Sequence, residues 1–233
     1  MDFGFWSAQP LNSWLSEVGA VFRKEILSEL RSKSGLITSG LFGIVSVVAI
    51  AFATWSVKIT PTVGAGLFWI TLLFSSMISL PRAFTIEEEL GTGDLLRLMA
   101  RPHAVFWGKV LFNLILIAVT AVVLGTLFFL FAQIHVGSIP VLVLSLLGAC
   151  LSLGGGVTLS GALVAQAANR GALSAAIALP LLLPLTALGV AALKVAFGDP
   201  AVTAGTQAAV GLVCYGVVSV AIGPYLFALV WKS

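Results

Sequence analysis

A chain of 233 residues that is 59% hydrophobic and only 9% charged, with a mean hydropathy of +1.12, lacks the polar surface that a water-soluble domain needs. Its net charge of +3 is small, and the absence of a basic face or a stacking platform in the sequence argues against nucleic acid as a partner. The two cysteines, Cys150 and Cys214, stand alone in apolar runs with no metal-ligand spacing, so both are expected to be packing residues.

Residues 1–12 show no clear periodicity and no basic region followed by an apolar run, so no removable signal is expected. From residue 13 to 33 the pattern is amphipathic: Leu15, Val18, Phe22, Ile26 and Leu30 recur at steps of three and four, while Glu17, Arg23, Lys24, Ser28 and Arg31 lie off that stripe. Glu29 and Lys33 stand at i,i+4 spacing, which favours an ion pair on a helix. Such a helix is expected to lie along the membrane surface with its basic residues toward anionic head groups, making lipid its first partner. A solvated helix leading into the first span is the alternative.

Apolar runs follow, each near the ~20 residues that a hydrocarbon core of about 30 Å requires. The expected spans are about 35–57, 63–80, 107–131, 140–165, 173–197 and 206–230, within a single transmembrane domain covering 1–233. The segment around His135 and Pro140 splits the third span from the fourth, Asn169 and Arg170 mark a turn, and Gly198 to Gly205 marks another. Gly154, Gly155, Gly156 and Gly161 suggest close helix approach in the fourth span. Pro180 and Pro184, four apart in the fifth, remove two backbone donors on one face and predict a kink that could serve as a gate. Lys and Arg number ten in the N-terminal arm, the 81–109 segment, the 166–172 turn and the tail, against two, Lys58 and Lys194, on the other side. That bias places both termini in the cytoplasm.

The segment from Pro81 to Lys109 breaks the pattern. It holds eight of the 21 charged residues, Arg82, Glu87, Glu88, Glu89, Asp94, Arg97, Arg101 and Lys109, between charge-free stretches 59–81 and 110–169. Charges in that density cannot lie in hydrocarbon, so the segment is expected to be a water-exposed connector. Thr85 and Glu88 fit a capping box, and Glu87 to Glu89 suit the positive end of a first helical turn. Asp94 is placed to cap a second short helix, 95–100, whose apolar side is Leu95, Leu96, Leu98 and Met99, with Arg97 and Arg101 as a basic pair and Pro102 as its stop. A short helix of this kind, held between two spans, suits docking in a groove of another protein. A solvated loop whose charges only enforce topology is the alternative.

The chain carries no phosphate-binding P-loop: Gly108-Lys109 is followed by Val110, and the upstream glycine is missing. All nine acidic residues lie outside the expected span interiors, which speaks against an ion relay. Energy must then come from a partner, and no catalytic residue is expected in this chain. His135, in an outer loop, could contact haem iron, although an exposed loop histidine is more often no ligand at all.

The segments RAFTIEEELGTGDLLRLM and NRGALSAAIALPLLLPL, with FRKEILSELR before them, resemble the haem exporter protein B family. The likeness runs over about residues 20–230. It implies an all-α integral membrane protein of the ABC-2-type exporter kind, with six transmembrane helices preceded by an interfacial elbow helix. It also implies a coupling segment, here 84–101, that receives a separate ATP-binding cassette subunit. The resemblance further implies work in cytochrome c maturation in a bacterial inner membrane, beside other maturation membrane proteins and a haem chaperone. Haem is the implied cargo, with ATP-driven release of the loaded chaperone as a second possibility at family level. An ABC-2-type exporter of lipid, polysaccharide or drug, and a non-transporting scaffold of the maturation machinery, are the competing readings.

Overall fold

Apolar runs bounded by proline, glycine and charge dictate where the helices begin and end. The computed structural model describes residues 11–79, 87, 91–132, 134–165, 170–199 and 205–231, and these form eight helices without strands among the described residues. They are α1 (Leu11–Ser32), α2 (Ser34–Ala53), α3 (Pro61–Ser79), α4 (Gly93–Met99), α5 (Pro102–Ala132), α6 (Ile139–Ala165), α7 (Arg170–Ala196) and α8 (Gly205–Trp231). Proline opens α3 and α5, where its missing N–H costs nothing because that donor has no helical partner. Five helices among the described residues are long and apolar enough to cross a membrane: Gly35–Ala53, Pro61–Ile78, Pro102–Ala132, Ile139–Gly161 and Gly205–Leu229. The expected span 173–197 falls on α7, whose apolar part is described from Pro180 to Ala196.

The turn from α1 into α2 is sharp and specific. Lys33 takes a left-handed backbone with φ of 52°, which carries it off the helix. The Glu29 carboxylate, expected to pair with Lys33, instead accepts the Leu36 backbone N–H at 2.7 Å, satisfying a donor at the start of α2.

α6 packs along α8, α7 packs against both, and α2 and α3 lie side by side against α5, with α3 also meeting α7. Two apolar cores result. The larger joins Phe68, Trp69 and Leu72 of α3 to Leu124 and Phe128 of α5, Leu153 of α6 and Leu185 of α7. Phe68 and Phe128 meet at a centroid distance of 5.3 Å, and Phe197 lies 6.2 Å from Phe68. The smaller core joins Val21 of α1, Val105, Phe106 and Val110 of α5, Leu159 of α6 and Phe227 of α8. Small residues allow the close helix approach. A methyl placed on Gly216 of α8 would lie 2.6 Å from Leu151 Cβ and 2.7 Å from the Ser152 backbone nitrogen. One placed on Gly155 of α6 would lie 2.9 Å from Val220. Both leave room for nothing larger than hydrogen.

α1 packs across the N-terminal half of α5. Its buried face is Val18, Val21 and Glu25, whereas Leu15 and Leu30, expected on the apolar stripe, are more than half exposed. The helix is rotated from the sequence expectation because its inner face must also bring Glu25 to a buried cation.

Candidate functional site: an ion-paired junction at the charged end of the bundle

That cation is Lys109. The sequence places it in a water-exposed connector; the structure buries it completely. The reason is the length of α5, 31 residues or about 46 Å. A hydrocarbon core is about 30 Å thick. The first turns of α5 therefore extend beyond the apolar layer, and α1 covers them.

Lys109 Nζ lies 2.8 Å from Glu25 Oε1 and 3.0 Å from Glu87 Oε2. Lys24 Nζ lies 3.1 Å from the same Glu25 oxygen and donates to Glu87 Oε1. Among the described residues, two ammonium groups and two carboxylates thus meet at one site and balance each other's charge. Removing isolated charges from water costs several kcal/mol each, and only this mutual pairing makes the burial tolerable. Burial works to keep Glu25 neutral, but Lys109 and Lys24 outweigh it and hold its carboxyl below the ordinary value. Burial likewise works against charge on Lys24, and Glu25 and Glu87 outweigh it to raise that ammonium. Glu25 and Lys24 are therefore both charged near neutrality.

Two further contacts fasten the same region. Arg101, the residue before α5, donates from Nη2 to Glu17 Oε1 at 2.9 Å and from Nε at 3.1 Å, tying the end of the α4 segment to α1. Arg97 of α4 places its guanidinium carbon 5.7 Å from the Trp231 ring centroid. Trp231 rests on Phe227 at 4.8 Å, and Phe227 on Phe106 at 5.7 Å. Ion pairs and a cation–aromatic contact thus join α4 and its flanks to α1, α5 and α8.

α4 starts at Gly93, and Thr92 occupies the capping position without a side-chain cap. Asp94, expected to cap, is already inside the helix. Thr92 instead points back, donating its backbone N–H to the Glu87 carbonyl at 2.9 Å. Of the residues expected to face a partner, Leu95, Leu98 and Met99 are 59%, 86% and 76% exposed. Arg97 and Arg101 are engaged within the chain. Glu87 belongs to the buried junction. Glu88 and Glu89 lie outside the described residues, as does the proposed Thr85 cap, and nothing is described of the Asp94 side chain.

Elsewhere, Pro180 and Pro184 both lie inside α7 with exposed rings. His135 is exposed at the opposite end of the bundle, beside a cleft of about 660 Å³ that Lys58, Trp55 and Phe197 also line. Among the described residues, no group of three or more His, Cys, Asp or Glu is placed to hold a metal ion. Sequence reasoning passed over Glu25 and gave Lys109, Glu17 and Trp231 no part in a site. The signal for the first was present: Val18, Val21 and Glu25 share one helical face, so a carboxylate sits among apolar neighbours and requires a cation opposite.

A curated relative, "Heme exporter protein B" of Bradyrhizobium diazoefficiens, is 25% identical over 216 residues, 92% of this chain and 96% of the relative. The family model described as CcmB protein matches residues 16–232, from the first turns of α1 past the end of α8. With all eight helices touched by that match, the chain belongs to the CcmB protein family.

Proposed function

We propose that this chain is the membrane subunit of an ABC-type haem exporter serving cytochrome c biogenesis, driven by a separate ATPase that docks on α4. Haem enters this reading through the relative's name, Heme exporter protein B, and its near full-length alignment. Docking on α4 is supported by a single observation: among the described residues, Glu87, Arg97 and Arg101 are engaged within the chain while Leu95, Leu98 and Met99 face outward. Leu98 at 86% and Met99 at 76% exposure are left without cover on a helix of seven residues. Burying each in a partner groove would contribute ~1.5–3 kcal/mol. An exposed ion pair on the same surface would add ~0–1 kcal/mol. A helix fastened to α1, α5 and α8 moves with the membrane helices, so motion of a docked ATPase would be passed into the bundle.

The experiment is copurification of the ATPase subunit with Leu95→Asp, Leu98→Asp, Glu88→Ala and Arg97→Ala variants, alongside the yield of c-type cytochrome. The leucine variants are expected to lose the ATPase most severely while remaining inserted. Undiminished ATPase binding by both leucine variants would overturn the α4 docking surface. Full cytochrome c yield in a strain lacking this subunit would overturn the haem assignment separately.

A further inference from the structure

We infer that the outer face of α1 is a binding site for the phosphate headgroup of an anionic phospholipid. The inner face of α1 is spent on α5, on the Glu25–Lys109 pair and on the Glu17–Arg101 pair. The outer face carries two neighbouring rows at helical spacing. Arg23, Leu27 and Arg31 form one, and Lys24, Ser28 and Ser32 form the other. These residues line an open groove of about 830 Å³. Arg23 and Arg31 are eight residues apart, about 12 Å along the axis. Arginine side chains at that spacing are long enough to meet one phosphodiester in the groove, where they would supply planar, bidentate donors beside the Ser28 hydroxyl.

The lipid, and not a free anion, is favoured by what lies beside those groups. Leu15, Leu27 and Leu30 are 58%, 43% and 57% exposed on the same helix. Leucines of that exposure belong in the acyl boundary, with arginines at the level of the phosphates. Lys24 belongs both to this groove and to the buried junction, where it pairs with Glu25 and Glu87. A bound headgroup therefore sits directly beside the ion pairs that hold the α4 segment. This site rests on α1 alone and stands whether or not haem is the cargo.

The test uses the full-length protein reconstituted in mixed phosphatidylcholine–phosphatidylglycerol vesicles, re-extracted in mild detergent, with retained lipid measured by mass spectrometry. Each surface cation is worth about a fivefold preference for anionic lipid. Wild-type protein should then retain phosphatidylglycerol roughly 5- to 30-fold above the vesicle ratio. The Arg23→Gln/Arg31→Gln double variant should fall near the vesicle ratio, and Arg23→Lys/Arg31→Lys should keep part of the enrichment. No enrichment in the wild type, or equal enrichment in the glutamine variant, overturns the site. Two other results would reassign the face and also overturn it. One is unchanged lipid enrichment with loss of ATPase copurification. The other is unchanged enrichment with loss of a melting shift that inorganic phosphate produces in phosphatidylcholine alone.

Discussion

Lys109→Met is the most direct test of the buried junction. The substitution keeps an unbranched apolar stem, one atom shorter, but removes the charge that lies 2.8 Å from Glu25 and 3.0 Å from Glu87. Taking one partner from a buried pair typically costs 3–5 kcal/mol, because the other charge stays buried and uncompensated. Here Lys24 still contacts both carboxylates. The lower end, about 3 kcal/mol, is therefore expected. For a chain of this size, each kcal/mol lowers the melting temperature by ~2–4 °C, so the variant should melt roughly 6–12 °C below wild type. The assay is thermal unfolding of protein in nanodiscs, followed by intrinsic fluorescence. Pairing predicts a second result: adding Glu25→Gln to Lys109→Met should recover most of the loss, since Lys24 and Glu87 then form a complete pair. The two single effects would fail to add, which is the signature of direct interaction. A Lys109→Met protein melting within about 2 °C of wild type, or a double variant no better than the single, would refute the reasoning.

Three other outcomes are expected. Glu25 has its pKa held below the ordinary 4.5, so its contribution is complete above that value and is lost as pH falls through the lowered folded value. Lys24 behaves in the opposite sense: its pKa is raised above 10.5, so its contribution is complete below that value and is lost as pH rises through the raised one. The melting difference between wild type and Glu25→Gln should accordingly stay flat through neutral pH and close in acid; a gap unchanged into strong acid would count against it. Gly216→Leu should prevent α6 and α8 from meeting, since even a methyl would lie 2.6 Å from Leu151 Cβ. A loss of several kcal/mol is expected, ~3 or more, read as collapse of the monodisperse peak on size exclusion; normal elution would contradict it. A reporter fused after Ser233 should read as cytoplasmic and one inserted near Val136 as external, from the ten-to-two distribution of Lys and Arg. Opposite readings at both sites would overturn that orientation.

The helical, membrane-embedded character of this chain was legible in its sequence because each helix carries its own evidence. A run such as Val110 to Phe131 is too apolar for water and long enough for a bilayer, and neither property needs a neighbour. The short α4 was legible for a similar reason, since Pro102 and the glycines before it punctuate the chain locally. The faces of the helices were not. Val18 and Leu15 are both apolar, and only the crossing of α1 over α5 decides that Val18 is buried and Leu15 exposed. The fate of the charges was equally hidden. Sequence position grouped Lys109 with Arg97 and Arg101 as one exposed island, yet Lys109 is enclosed. Arg101 is bound to Glu17, 84 residues earlier, and Arg97 lies over Trp231 near the other end of the chain. Electrostatic pairing depends on distance in space and on the local dielectric, and neither is a property of a residue or its neighbours in sequence. Composition determined that this chain lives in a membrane; the packing of α1 against α5 decided which charges could be buried with it.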